Sequence, residues 1–376
     1  MNATQSDLRL EGQRLTGRVH ASWWSDLLTI VLGLWLIAGL FIDGYAHNNL
    51  RGTLESFFTP WHAVLYSGFT ACASWIAWLI FQQARAGRRG LDAIPIGYEW
   101  GLAGVFIFGL GGLGDMIWHT VFGIEVGTSA LLSPTHLLLL TGGVLILGSP
   151  LRSAWLNTSV TRAPGLKVFL PALLSVFGAY SFIVFMQMYA WGKTSVPDGK
   201  GYVDWLVLNG GSQMLERIHR EAASGILYSN VIMIGTALLL LRRFQTPFGT
   251  FTLLYGVNTL MMNAMLSGEL GLARTLPAFA AGLIADIFVQ VLEPRPERII
   301  VWRVFAGIVP LLIWGLHFAG IAWLGGGIGL NREFWTGITV MAGLSGLLLS
   351  VLVTPVPVAH EPRSREPRSL AGVDSR

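Results

Sequence analysis

Ten apolar runs, each about 16–25 residues long, dominate this 376-residue chain and leave it few ways to fold. A helix needs about 20 residues to cross roughly 30 Å of hydrocarbon, and inside a bilayer every backbone N–H and C=O must be paired within the protein. The runs are Leu27–Tyr45, Trp61–Phe81, Tyr98–Val121, Leu132–Pro150, Val168–Trp191, Ala222–Leu241, Phe248–Leu266, Thr275–Leu292, Ile299–Trp323 and Phe334–Val353. The fourth and eighth are each short or carry a polar residue. The expectation is an all-α, polytopic integral membrane bundle of ten transmembrane helices in five repeated hairpins, with the lipid bilayer as its main partner.

Only 12% of residues are charged and 53% are hydrophobic, about half the charge of a soluble domain. That balance excludes a disordered chain, a coiled coil and a nucleic-acid-binding domain. The formal charge of +4 belongs mostly to the loops and reads as a topology signal. Arg9, Arg14 and Arg18 precede the first run. Arg85, Arg88 and Arg89, then Arg152, Arg162 and Lys167, then Arg242 and Arg243, fill alternate connections. Arg295, Arg298 and Arg303 follow, and the tail adds Arg363, Arg365, Arg368 and Arg376, so eighteen of the 25 basic residues share one side. Basic residues stay cytoplasmic, so both termini are expected there, in the plasma membrane (the bacterial inner membrane). The polar stretch before the first run has no small-residue cleavage site and reads as a tail rather than a secretory signal.

The expected segments are an N-terminal tail (1–26), two hairpins carrying ionisable residues (27–153), six further spans (154–354) and a disordered tail rich in Pro, Arg and Ser (355–376). Cys72 is the single cysteine, which excludes an intrachain disulfide.

The first two hairpins repeat each other. One reads Asp43-Gly-Tyr-Ala-His47 and, after a loop, Pro60-Trp-His62; the other reads Asp115-Met-Ile-Trp-His119 and then Pro134-Thr-His136. The two aspartates are 72 residues apart, as are the first histidines, while the second histidines are 74 apart. A further 72 residues on stand Gln187 and Trp191, with Ser224 in place of the second histidine; Leu-Tyr-Ser recurs in Val64–Ser67 and Ile226–Ser229. The third hairpin would thus keep the scaffold without the ionisable groups, and Asn263 would stand for the aspartate in the fourth.

Asp and His at i and i+4 share a helix face, and a proline two residues before the second His suits the first turn of the returning helix. Each hairpin would then present one carboxylate and two imidazoles at one membrane depth, a transition-metal ligand set suited to Cu, Zn, Fe or Ni. Charged groups cost roughly 2.5–3.5 kcal/mol at a helix centre, and intramembrane ones are functional candidates by default. A structural polar network and a proton or solute path fit the same residues. The metal reading ranks first because six positions match in duplicate.

Other polar positions carry less. His317 could reach the same layer but also reads as a packed core histidine. Glu269, Glu221 and His219 read as solvated outer-face positions. Asp286, inside the eighth run, reads equally as a relay and as a hydrogen-bonded buried residue. Glu55 and Glu125 lie in the loops beside the six ligand candidates and could orient ligands, while His20 and His360 lie in the tails. Phosphate-binding, c-type haem and His-Glu-x-x-His zinc motifs are absent.

The Asp-x3-His motif, followed by a His at the start of the next helix, resembles the copper-site motif in the particulate methane and ammonia monooxygenases. In that family the Asp and two His come from consecutive transmembrane helices. The resemblance implies that Asp43, His47 and His62, and likewise Asp115, His119 and His136, are metal ligands, and it ranks copper ahead of zinc and iron. Here the histidines stand further apart than in that family and the motif occurs twice. The chain also resembles bacterial polytopic membrane proteins with Asp-x3-His and Pro-x-His patterns, to which no activity attaches. The expected function is transition-metal binding at the outer membrane face, with monooxygenase-like or other oxidoreductase chemistry. The rivals are an ion- or proton-coupled permease and a structural membrane protein. Partner membrane proteins or a homo-oligomer are compatible with either.

Overall fold

The computed structural model describes residues 17–50, 57–123, 128–192, 198–211, 213–266 and 270–354. Among the described residues there are twelve α-helices of eight residues or more and no strand. Glu55, Glu125, Glu269, His360 and most of both tails lie outside the described residues.

Two helical hairpins come first. Helix α1 (Trp23–Asn49) starts where the Ser22 side chain accepts from the Ser25 N–H, and α2 (Pro60–Arg85) returns beside it. Their backbones touch at small residues: a Cβ on Gly39 would stand 2.6 Å from the Leu65 Cα, and one on Gly68 would stand 2.7 Å from the Leu36 Cα. Helices α3 (Glu99–Phe122) and α4 (Pro134–Leu147) close in the same way, with a Cβ on Gly142 meeting the Phe108 nitrogen at 2.6 Å. Such contacts let helices pack at backbone distance.

Helix α4 bends by 41° at Gly148 into α5 (Ser149–Leu156). Pro150, in the first turn of α5, has no N–H to continue the α4 ladder, which accounts for the break. Helix α6 (Leu166–Met186) lies behind both hairpins, packed on α1 and α4, and is buried along most of its length.

The remainder comprises α7 (Lys200–Gly210), α8 (Gln213–Arg243), α9 (Asn258–Leu266), α10 (Gly271–Leu292), α11 (Ile299–Leu324) and α12 (Arg332–Val353). Among the described residues, eight helices are long and apolar enough to cross a membrane, or nine if α4 and α5 form one bent span.

The expected seventh span is not among them. Its helix contains six π-helical residues, Thr252–Val257, ahead of the nine residues of α9. Asp286 of α10 explains how this segment begins. Its carboxylate accepts from the backbone N–H groups of Phe251 and Thr252, both at 2.9 Å, and from the Thr252 hydroxyl at 2.7 Å. A neighbouring helix therefore caps the otherwise unpaired donors at this helix start. Asp286 is thus a hydrogen-bonded buried residue that caps this helix start.

Candidate metal centre

The six ligand candidates meet at one end of the two hairpins, and they do so for local reasons. Asp43 and His47 lie in the last two turns of α1, Asp115 and His119 in those of α3. His62 and His136 occupy the first turns of α2 and α4, three residues after the caps Thr59 and Ser133 and two after Pro60 and Pro134. Each cap hydroxyl accepts from the backbone N–H of the histidine itself, at 3.1 Å for His62 and 3.3 Å for His136. A capping hydrogen bond and a proline of fixed φ together pin the residue that must point back to its aspartate.

In the first set, Asp43 Oδ1 lies 3.5 Å from His62 Nε2 and Asp43 Oδ2 lies 3.8 Å from His47 Nε2. In the second, Asp115 Oδ1 lies 3.4 Å from His119 Nε2 and 3.5 Å from His136 Nδ1. Within each set one atom from every residue falls within 4.8 Å of the others. These separations lie at or beyond the long limit of hydrogen bonding. They match the edge of a metal polyhedron, since ligands at about 2.0–2.1 Å in a tetrahedral site stand about 3.3 Å apart.

The ring orientations agree. His62 Nδ1 donates to the Phe57 carbonyl at 2.6 Å and His119 Nδ1 to the Gly123 carbonyl at 3.3 Å, which turns each Nε2 toward an aspartate. Asp43 Oδ1 is buried and, among the described residues, accepts no hydrogen bond. A buried lone pair is costly, and a cation between Oδ1 and Nε2 would satisfy both. Asp115 differs: Tyr66 donates to its Oδ2 at 3.2 Å and Thr135 to its Oδ1 at 3.4 Å. Ser133 Oγ is 2.8 Å from His136 Nδ1 and 3.1 Å from Thr135 Oγ1, so the cap is also part of the site.

All six ligand candidates line one cavity of about 290 Å³, whose floor is apolar and built from Leu65, Phe108, Leu139, Phe182, Phe185 and Met186. On the far side of His62 and Tyr66 lies a more open apolar groove of about 650 Å³ between α2 and α3, edged by Phe57, Phe58, Phe69 and Leu113.

Sequence reasoning missed Thr59, Ser133, Tyr66, Thr135 and Phe57. A Ser/Thr-Pro-x-His pattern before each second histidine is the signal that marks the two caps. Tyr66 and Phe57 belong to one hairpin and act across to the other, which spacing within a hairpin does not reveal. The proposed stand-ins elsewhere do not join the site: Gln187 accepts from Tyr189, Trp191 is buried, Ser224 donates to the Arg220 carbonyl and Asn263 donates to Thr275. None of these four lines the cavity.

His317 is a packed histidine, but its partner is Asp198, at 2.7 Å, rather than the ligand layer. Arg274 meets the other carboxylate oxygen of Asp198 at 2.8 Å, and the three form a buried charged cluster. Burial pushes the Asp198 carboxyl up, but Arg274 and His317 outweigh it and hold it below the ordinary carboxylate value. His219 is a correction: it is buried and stacked on Phe334, with ring centroids 4.5 Å apart, so it is not a solvated position. Glu221 pairs with Arg217 at an exposed site, as expected of a solvated residue.

Eight apolar helices long enough for a bilayer and two Asp/His/His groups that could hold a metal ion are compatible with a polytopic helical membrane protein carrying a candidate metal centre. No protein-family model matches the chain, and neither a curated protein nor a solved structure is significantly similar to it.

Proposed function

We propose that this is an integral membrane metalloprotein that holds transition-metal ions, copper first, through Asp43, His47 and His62 and through Asp115, His119 and His136 at the outer face of the bacterial inner membrane. The observation that carries the reading is the buried Asp43 Oδ1, without a hydrogen-bond donor among the described residues, facing His62 Nε2 at 3.5 Å within a three-residue ligand set. Copper binds most tightly among the divalent ions at a nitrogen–oxygen site, and two histidines with one carboxylate also suit iron or zinc. Three protein ligands leave coordination positions open to the cavity, where a bound ion would supply Lewis-acid or one-electron chemistry. Tyr66, Thr135, Phe57 and Gly123 orient the ligands. The apolar floor formed by Phe108, Phe182 and Phe185 limits water around them. An oxidoreductase is the function that such a site serves best.

A retained site is favoured over a transport path by where the helices break. The bend at Gly148 is twelve residues from His136, about 18 Å along the helix, and the π-helical Thr252–Val257 lies outside the cavity lining. The ligands sit on unbroken helix ends.

The test is elemental analysis of the detergent-purified full chain beside an Asp43→Ala/His119→Ala double variant. One or two copper, iron or zinc atoms per chain, absent from the variant, are expected. Absence of retained metal after anaerobic reconstitution with each ion overturns the proposal.

A further inference from the structure

We infer that the two ligand sets form one dinuclear centre rather than two separate sites, an inference that rests on the metal-binding reading above. The four imidazoles stand in an unbroken row: His47 to His62 at 5.7 Å, His62 to His119 at 6.2 Å and His119 to His136 at 6.1 Å between ring centroids. The step between the sets, 6.2 Å, is only slightly longer than the steps within them, 5.7 and 6.1 Å. The ligands of both sets face the same cavity.

The sets also share supporting residues. Phe57 stacks on His62 with centroids 4.8 Å apart and lies 6.1 Å from His119, so a single ring packs on one histidine of each set. Tyr66 rises one turn beyond His62 on α2, with ring centroids 6.3 Å apart, yet gives its hydroxyl to Asp115 of the other set. Tyr66 is therefore a positioning residue that ties the orientation of the second carboxylate to the helix carrying the first set's histidine. Two ions held by such a centre would be close enough to interact with each other and with one small ligand in the cavity.

The experiment loads the full-length, detergent-purified protein with Cu(II), counts copper chemically and records its EPR spectrum. A dinuclear centre gives two coppers per chain together with a half-field transition, or a spin count well below the copper count. The single-set variants Asp43→Ala and Asp115→Ala are expected to hold one copper each, with a full spin count and no half-field line. Two coppers that titrate and relax as independent spins in the wild-type protein overturn the shared centre while leaving the metal-binding reading intact; so does one magnetically isolated copper. No retained copper overturns both. The wild-type spectrum decides alone, so a variant that fails to fold leaves the result standing. Tyr66→Phe supplies the positioning readout: at saturating Cu(II) its copper count stays at two while the half-field intensity or spin count changes.

Discussion

Tyr66 donates its phenolic hydroxyl to Asp115 at 3.2 Å, across the boundary between the two hairpins. Helices α2 and α3 are adjacent but lightly packed compared with the pairs α1–α2 and α3–α4. That makes a polar contact between them a more telling link than another apolar one. Outer-shell partners of metal ligands usually contribute about 10–100-fold to affinity. Tyr66→Phe is therefore expected to weaken metal at the Asp115 set by about that factor, measured by chelator competition, with the Asp43 set less affected. Equal weakening of both sets, or of neither, refutes this assignment.

The caps make a separate prediction. Thr59→Ala and Ser133→Ala each remove an acceptor from a ligand histidine's own N–H, at a usual cost of about 1 kcal/mol. Both should lower the melting temperature and the metal affinity together. Ser22→Ala, which uncaps α1 at the opposite end from its ligands, should lower only the melting temperature. A Ser22→Ala variant that loses metal as readily would show that capping acts only through global stability.

Gly68 tests the close approach within the first hairpin. A leucine there would collide with the Leu36 backbone, and overpacking typically costs about 1–3 kcal/mol. Gly68→Leu should separate α1 from α2, lower the melting temperature and release metal from the Asp43 set first. Full metal content in a folded Gly68→Leu protein would show that the ligands do not depend on this contact.

Asp286 should separate stability from metal. Removing its cap of Phe251 and Thr252 by Asp286→Ala is expected to cost about 0.5–2 kcal/mol with metal content unchanged. Loss of metal in the folded variant would tie Asp286 to the centre.

The Asp198 cluster gives a pH dependence. Because Asp198 is held below the ordinary carboxylate value, its contribution to stability is present above that value and lost as the pH falls through it into the acid range. Asp198→Asn removes the negative charge facing the buried Arg274, and breaking a buried pair in this way commonly costs about 3–5 kcal/mol. The wild-type and Asp198→Asn melting temperatures should differ most near neutral pH and converge on acidification. A constant difference down to the most acidic usable pH would contradict the role given to this carboxylate.

Much of the site was legible in the sequence because its determinants are local. Asp43 with His47, and Asp115 with His119, share helix faces by a four-residue spacing, and the helix start at Pro60 or Pro134 turns the second histidine inward. The all-helical class was legible for the same reason, since long apolar runs leave a backbone no other way to pair its polar groups in a bilayer.

The rest depended on contacts between residues far apart in the chain. Ten apolar runs did not become ten uninterrupted helices: Pro150 bends one, and six π-helical residues break another where Asp286, some 35 residues away, holds its first N–H groups. Nothing in the spacing of His317 announces Asp198, 119 residues earlier. The sequence by itself determined a membrane-type helical bundle and two Asp/His/His sets, because helical periodicity and capping act within a few residues. Only the tertiary structure decided that the two sets line one cavity, with His62 and His119 6.2 Å apart and Tyr66 reaching between them. That proximity comes from α6, which packs on α1 of one hairpin and on α4 of the other, and such packing is a property of side-chain surfaces meeting in space rather than of any local pattern.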